Sequence, residues 1–135
     1  MYTALISILL ISLPQLINEK CLVLTCNLIS QNNYSVTIKN NCKSSIFYEV
    51  TMYCSNDING KYECVMVDLK RNVSCDTQFV PPLAFINKNG LARFDFKLNP
   101  YVIKQYKYFK VGIDYRTEKN PQHEEYFSKP YSTRN

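Results

Sequence analysis

Six cysteines, Cys21, Cys26, Cys42, Cys54, Cys64 and Cys75, are the residues of this chain best suited to covalent or metal chemistry. Thiolates hold zinc when they come in closely spaced pairs or beside histidines. Here no C-x-x-C pair occurs, and the one histidine, His123, lies far along the chain from all six. The spacing favours disulfides over a metal centre. A single imidazole also removes most Ser/His and Cys/His nucleophile–base arrangements and most histidine pH switches. Carboxylates are available at Asp95, Asp114, Glu124 and Glu125, but nothing around them in sequence buries or couples two of them as an acid and a base must be coupled. They read as solvated surface charge. The sequence predicts no catalytic residue, no cofactor site and no metal site.

The compartment follows from the N-terminus. Residues 1–18 carry no charge and contain the apolar run Ala4 to Leu13, closed by Pro14. That run is shorter than the roughly 20 residues a membrane-spanning helix requires, and it matches the apolar centre of a secretory signal peptide removed near Asn18. No second apolar run follows, so no membrane span is expected in the mature chain, which is assigned to the outside of the cell or the endoplasmic reticulum lumen. All six cysteines lie beyond residue 18, as a disulfide framework in an oxidising compartment would have them. Two sequons, Asn33-Tyr34-Ser35 and Asn72-Val73-Ser74, are candidate glycan acceptors. Asn33 is preferred, because Asn72 lies close to Cys75.

The elements that would position these residues are strands. The 135 residues suit one domain, and the balance of 11 Tyr and 7 Phe against 3 Gly and no Trp suits half-buried pleated surfaces. From Ser45 to Cys54, Ile46, Tyr48, Val50 and Met52 alternate with Phe47, Glu49, Thr51 and Tyr53, a period of two. Asn59-Gly60 offers the positive-φ residues of a hairpin turn leading to a strand over Tyr62 to Leu69. Ala92, Phe94, Phe96 and Leu98 alternate with polar neighbours. Phe109, Val111, Ile113 and Tyr115 do the same, and the pattern pairs this strand antiparallel with the preceding one across the Asn99-Pro100 break. Leu22 to Ile29 and Tyr34 to Ile38 are weaker strand candidates. With no amphipathic helix evident, the sequence predicts an all-β, antiparallel β-sandwich stapled by disulfides over residues 19–116. Residues 117–135 are polar, contain Pro121 and Pro130, and read as a mobile C-terminal tail.

Cys42 and Cys54 flank an extended segment and lie too far apart to bridge each other. Beyond that, spacing leaves the pairing of Cys26, Cys42, Cys54, Cys64 and Cys75 open. Cys21, close to the expected new N-terminus, is the candidate for an intermolecular disulfide and so for a covalent homodimer. The alternative is an intrachain bridge to Cys26 or to a neighbouring strand.

The order of these features resembles a known family. Lys20-Cys21-Leu-Val-Leu-Thr-Cys26 directly after the signal, Asn41-Cys42 before an aromatic strand, Glu63-Cys64-Val65, Asn72-Val73-Ser74-Cys75 and the closing Lys110-Val111-Gly112-Ile113-Asp114-Tyr115 are similar to the immunoglobulin-like accessory proteins of coronaviruses. The secreted open-reading-frame-eight type is the better comparison and the membrane-anchored seven-a type the more distant one. The resemblance covers roughly residues 1–115. It implies a small immunoglobulin-like domain that binds host proteins of the secretory pathway or cell surface and modulates immune recognition without catalysis. It also implies a Cys64–Cys75 bridge and an inter-subunit role for Cys21. Cys54 is extra to the family pattern and offers a competing Cys54–Cys64 pair. Cysteines that the family carries near its last hairpin are absent, Phe94 and Phe96 standing in that region.

A net charge of +5 adds a reading from another class. Lys97, Lys104, Lys107, Lys110 and Arg116 interleave with Tyr101, Tyr106, Tyr108 and Tyr115, a composition able to attract polyanionic cell-surface glycans. The secretory compartment argues against nucleic acid. A secreted effector of non-viral origin built on the same sandwich is the remaining alternative.

Overall fold

The computed structural model describes residues 21–76 and 83–134. The expected signal peptide at 1–18 lies outside them. Among the described residues, ten strands and one short helix form an all-β, antiparallel sandwich: β1 (Leu22–Ser30), β2 (Asn33–Asn40), β3 (Ile46–Ser55), β4 (Glu63–Asp68), β5 (Val73–Ser74), β6 (Ala84–Ile86), β7 (Leu91–Lys97), α1 (Pro100–Gln105), β8 (Tyr108–Thr117), β9 (Glu124–Phe127) and β10 (Tyr131–Ser132). The smaller sheet has the order β1-β2-β7. The larger has β10-β8-β3-β4-β5, with β6 on β3 and β9 on β8.

Period-two alternation sets which face each strand buries. Tyr48, Val50, Met52 and Cys54 of β3, with Phe109, Val111, Ile113 and Tyr115 of β8, point into the core. They meet Leu22 and Cys26 of β1, Tyr34, Val36 and Ile38 of β2, and Phe94 and Phe96 of β7. At the centre the Tyr34 ring stacks on Phe96, 5.4 Å between centroids, and meets the edge of Phe109 at 5.1 Å.

The two late strands are not neighbours, contrary to the pairing predicted from their patterns. β7 pairs with β2, and β8 pairs with β3 along its whole length. The chain changes sheet through α1. Its start is encoded locally: the Asn99 side chain accepts a hydrogen bond from the Tyr101 amide at 2.8 Å, and Pro100 occupies the first turn. An Asn cap followed by Pro is a helix-start signal, and here it occupies the pair expected to act as a break. The hairpin turn also differs in detail. Positive φ occurs at Asn32, Asn72 and Asn89 and at no described glycine. Gly60 is required instead by close approach, since a Cβ there would lie 2.8 Å from Asp57 Cβ.

Residues 117–134 are part of the sandwich, which corrects the mobile tail. β9 pairs with β8 from Tyr115↔Glu124 to Gly112↔Phe127, and β10 returns to pair Tyr131 with Phe109. The Tyr131 ring stacks on Phe109 at 5.4 Å, and its hydroxyl donates to the Cys26 carbonyl at 2.9 Å, crossing from one sheet to the edge of the other. Thr133 is fully buried: its amide donates to Lys107 O at 2.9 Å and its hydroxyl to Tyr106 O at 2.6 Å. A few aromatic anchors in a polar stretch are enough to dock it, because the open side of the sandwich supplies an apolar slot.

The disulfides correct the roles given to three cysteines. Cys21 bridges Cys42 within the chain, Cα–Cα 4.8 Å, so it is not held for a second molecule. The register Leu22↔Asn40 brings both ends of the β1–β2 hairpin together and leaves the two thiols adjacent. Cys64 bridges Cys75, Cα–Cα 6.1 Å, the pair that the resemblance implied. Cys26 and Cys54, expected in disulfides, are buried free thiols, both on core-facing positions of their strands. The fully buried Asn40 braces the Cys21–Cys42 end. Its Nδ2 donates to the carbonyls of Ser44, Ile86 and Asn87, and its Oδ1 accepts from the Cys42 amide.

Burial pushes the Cys26 thiol up to about 11 and the Cys54 thiol up to about 12. At pH 8 the reactive thiolate is then about one part in a thousand and one in ten thousand respectively. The folded protein should run as a monomer on non-reducing electrophoresis and resist iodoacetamide. Once unfolded without reductant it should gain two carbamidomethyl groups, on Cys26 and Cys54, by mass spectrometry. A covalent dimer, or labelling of Cys21, would contradict this pairing.

Candidate functional site

The outward face of the larger sheet carries a pattern that a solvated surface does not require. Glu49 of β3 lies directly opposite Asp114 of β8, and Asp114 lies directly opposite Glu125 of β9. Three carboxylates therefore form one row across three neighbouring strands. Like charges in directly opposed positions destabilise a sheet. Among the described residues one of the three has a close side-chain partner: His123 Nδ1 sits 2.8 Å from Asp114 Oδ1. Partial burial, and then the charge of Asp114, push the Glu49 carboxyl above its ordinary value, with His123 acting in the opposite sense. Burial, followed by the charges of Glu125 and Asp114, raises the Tyr53 phenol as well.

Aromatic rings flank the row on both sides. Toward one end of the strands, Phe47 packs on Phe85 at 5.2 Å between centroids and carries the Arg116 guanidinium 5.2 Å above its ring. The buried Arg116 Nε has no hydrogen-bond partner among the described residues. Toward the other end, Tyr53 and Phe127 meet edge to face at 5.4 Å above Gly112. A Cβ on Gly112 would lie 2.7 Å from Tyr53 Cε2 and 3.0 Å from Phe127 Cε1, so the absence of a side chain there is what lets both rings lie against the sheet. Phe85 and Phe127 remain 46% and 45% exposed, large apolar surfaces beside the acidic row. The result is a flat face of acids between aromatic walls, a composition suited to cationic side chains that also stack.

Of the residues expected to bind polyanions, Lys97, Lys104, Lys107 and Lys110 gather at the α1 end of the sandwich. Arg116 does not join them. It lies six residues further along β8 than Lys110, about 20 Å away at strand spacing, on the Phe47 ring. The expected glycan sites also separate. Asn33 Nδ2 is engaged, donating to Ser30 Oγ at 2.9 Å and Gln31 O at 3.3 Å, and the buried Ser35 accepts from Arg93 Nε at 3.0 Å. Asn72 stands exposed at a positive-φ position after β4. Of the two sequon asparagines, Asn33 is the more engaged in the fold and Asn72 the more exposed.

A cleft of about 220 Å³ is lined by Tyr48, Glu49, Asp68, Arg71, Leu83 and Phe94. Asp68 is paired with Arg71 at 3.8 Å. Among the described residues no group of three His, Cys, Asp or Glu side chains is placed to hold a metal ion, and no helix is long and apolar enough to cross a membrane.

No protein-family model and no curated protein matches the chain. Among solved structures, the chain is similar to the X-ray structure of Northeast Structural Genomics Consortium target SoR45, with a TM-score of 0.50 and 15% identity over 84% of this chain and 85% of that one. At that identity the likeness carries the fold and nothing further.

The carboxylate row generates a pH-dependent stability. Because the fold raises the Glu49 carboxyl above its ordinary 4.5, the folded state penalises the charged form. That penalty is present at neutral pH and fades as pH falls through the raised value toward 4.5. Glu49→Gln should therefore melt higher than the wild type at pH 7, by roughly 0.5 kcal/mol for an opposed like charge, and the gap should shrink as the pH is lowered toward 4.5. A gap that is constant with pH, or of opposite sign, would refute the coupling.

Proposed function

We propose that the chain is a non-catalytic binding protein that engages a partner protein through the outward face of its larger sheet. The observation that carries this reading is the Glu49–Asp114–Glu125 row between the Phe47–Phe85 and Tyr53–Phe127 pairs. Opposed carboxylates cost stability in the isolated domain, and such departures from local consistency concentrate at functional surfaces. A partner bearing lysine or arginine removes the repulsion and gains the aromatic contact, so the arrangement favours the complex over the free protein.

The finer reading is a secreted or endoplasmic-reticulum-lumenal viral accessory protein that binds host proteins and modulates the host immune response. Two disulfides suit an oxidising compartment, and the cysteine order and the Cys64–Cys75 bridge fit the family resemblance. Affinity capture from secretory-pathway extract should recover a defined protein with the wild type. The double variant Glu49→Lys/Glu125→Lys should lose it, while a charge reversal on the opposite sheet, Asp95→Lys, should keep it. Capture that is unchanged in the double variant, or lost equally in both, would remove this face from the function.

A further inference from the structure

We infer that the α1 end of the sandwich is a second, separate binding surface, one that takes a sulfated polysaccharide. Its cations come from five parts of the chain that only the fold brings together: Lys61 from the β3–β4 turn, Lys97 from the end of β7, Lys104 from α1, Lys107 and Lys110 around the start of β8, and Arg134 from the C-terminus. Specific contacts tie these segments to one another. Asn56 holds both sides of the α1–β8 junction, its Nδ2 donating to Gln105 O at 3.1 Å and its Oδ1 accepting from the Lys107 amide at 3.0 Å. Thr133 donates its amide to Lys107 O, which seats Arg134 beside Lys107. Lys110 Nζ lies 4.3 Å above the Tyr62 ring, which brings the turn bearing Lys61 alongside β8. The Leu98 amide donates to Asn32 O at 2.7 Å, fixing the end of β7 at the same pole.

The charge there is left available. Lys61, Lys97, Lys104, Lys107 and Arg134 are exposed, and none of the ion pairs among the described residues involves them or Lys110. Asp57 and Glu63 are the acids at this end, and Glu63 accepts the Tyr106 hydroxyl. Tyr101, 60% exposed, adds a ring among the lysines. A convex cluster of flexible ammonium groups around a rigid core is matched by a linear polymer with closely spaced sulfates, whose attraction is summed over many weak, screened contacts. A folded protein partner would instead require a shape-matched apolar centre, which this pole lacks. The acidic row lies apart from the exposed lysines of the pole, so a chain bound at the pole leaves it unoccupied.

The test uses heparin as the probe and two variants of equal net charge. Wild type should elute from immobilised heparin above physiological ionic strength, ~0.15 M. Lys104→Ser/Lys107→Ser/Arg134→Ser should elute below it, with affinity reduced roughly tenfold or more. Lys39→Ser/Lys43→Ser/Lys88→Ser, exposed cations elsewhere on the fold, should elute close to wild type. Equal losses in both triple variants would mean that net charge alone is read, and would overturn the site, as would wild type failing to bind at ~0.15 M salt. Binding to phosphatidylserine vesicles without retention on heparin would overturn it in favour of a membrane surface. A measurement on the unmodified protein guards against a variant that does not fold. Lysine acetylation with and without heparin should show protection of Lys61, Lys97, Lys104 and Lys107 but not of Lys39, Lys43 and Lys88, and uniform protection would contradict the assignment.

Discussion

Everything in this fold is referred to one aromatic contact group between the sheets. Tyr34 of the smaller sheet stacks on Phe96, and across the gap it meets Phe109 of the larger sheet and Tyr131 of the C-terminal segment. Phe109 and Tyr131 stack in turn. Each such pair adds about 1 kcal/mol beyond the area it buries, but its larger effect is geometric. The rings fix the spacing of the sheets and give the returning chain a slot, and the Tyr131 hydroxyl is then placed to reach the Cys26 carbonyl. The docked return holds β9 against β8, and β9 supplies Glu125 and Phe127 to the outward face. The candidate site therefore depends on the core through the C-terminal segment.

The separation of charge follows from the same scaffold. Outward positions of β3, β8 and β9 carry the acidic row, with Lys110 and Arg116 of β8 beyond it on either side, while turns, the helix and the terminus at one end carry the exposed lysines. Sheet register puts acids opposite acids, where the mutual repulsion raises the Glu49 carboxyl beyond the effect of its burial. Lysines on turns and ends have flexible stems and water around them, and they tolerate crowding at little cost. A protein with a formal charge of +5 thus presents one locally acidic sheet face, a feature that net charge conceals.

The parts of the fold legible in the sequence were those with sustained alternation. Ile46 to Met52, Ala92 to Leu98 and Phe109 to Tyr115 each hold a period of two long enough to show both the strand and its buried face. What was not legible depended on partners distant in sequence. The pairing of β7 with β2 rather than β8 is decided by the change of sheet at α1, and the Asn99-Pro100 start of that helix looks like a turn when read alone. The C-terminal segment reads as a tail because β9 and β10 are too short to show a period, although Tyr126, Phe127 and Tyr131 stand in it as aromatic anchors. The Cys21–Cys42 bridge needs the β1–β2 register, and the free thiols of Cys26 and Cys54 need the knowledge that both face the core. The carboxylate row is a cross-strand object: Glu49 lies 65 residues before Asp114, and in sequence it is only one outward residue of an alternating strand.

Binding at the outward face is the claim on which the functional account rests, and amide chemical-shift mapping tests it most directly. Titrating isotopically labelled protein with a short peptide of alternating arginine and tyrosine should move the amides of Glu49, Asp114, His123, Glu125 and Phe127 together, in fast or intermediate exchange, and leave α1 unchanged. Shifts confined to the α1 end, or no shift anywhere at millimolar peptide, would contradict it.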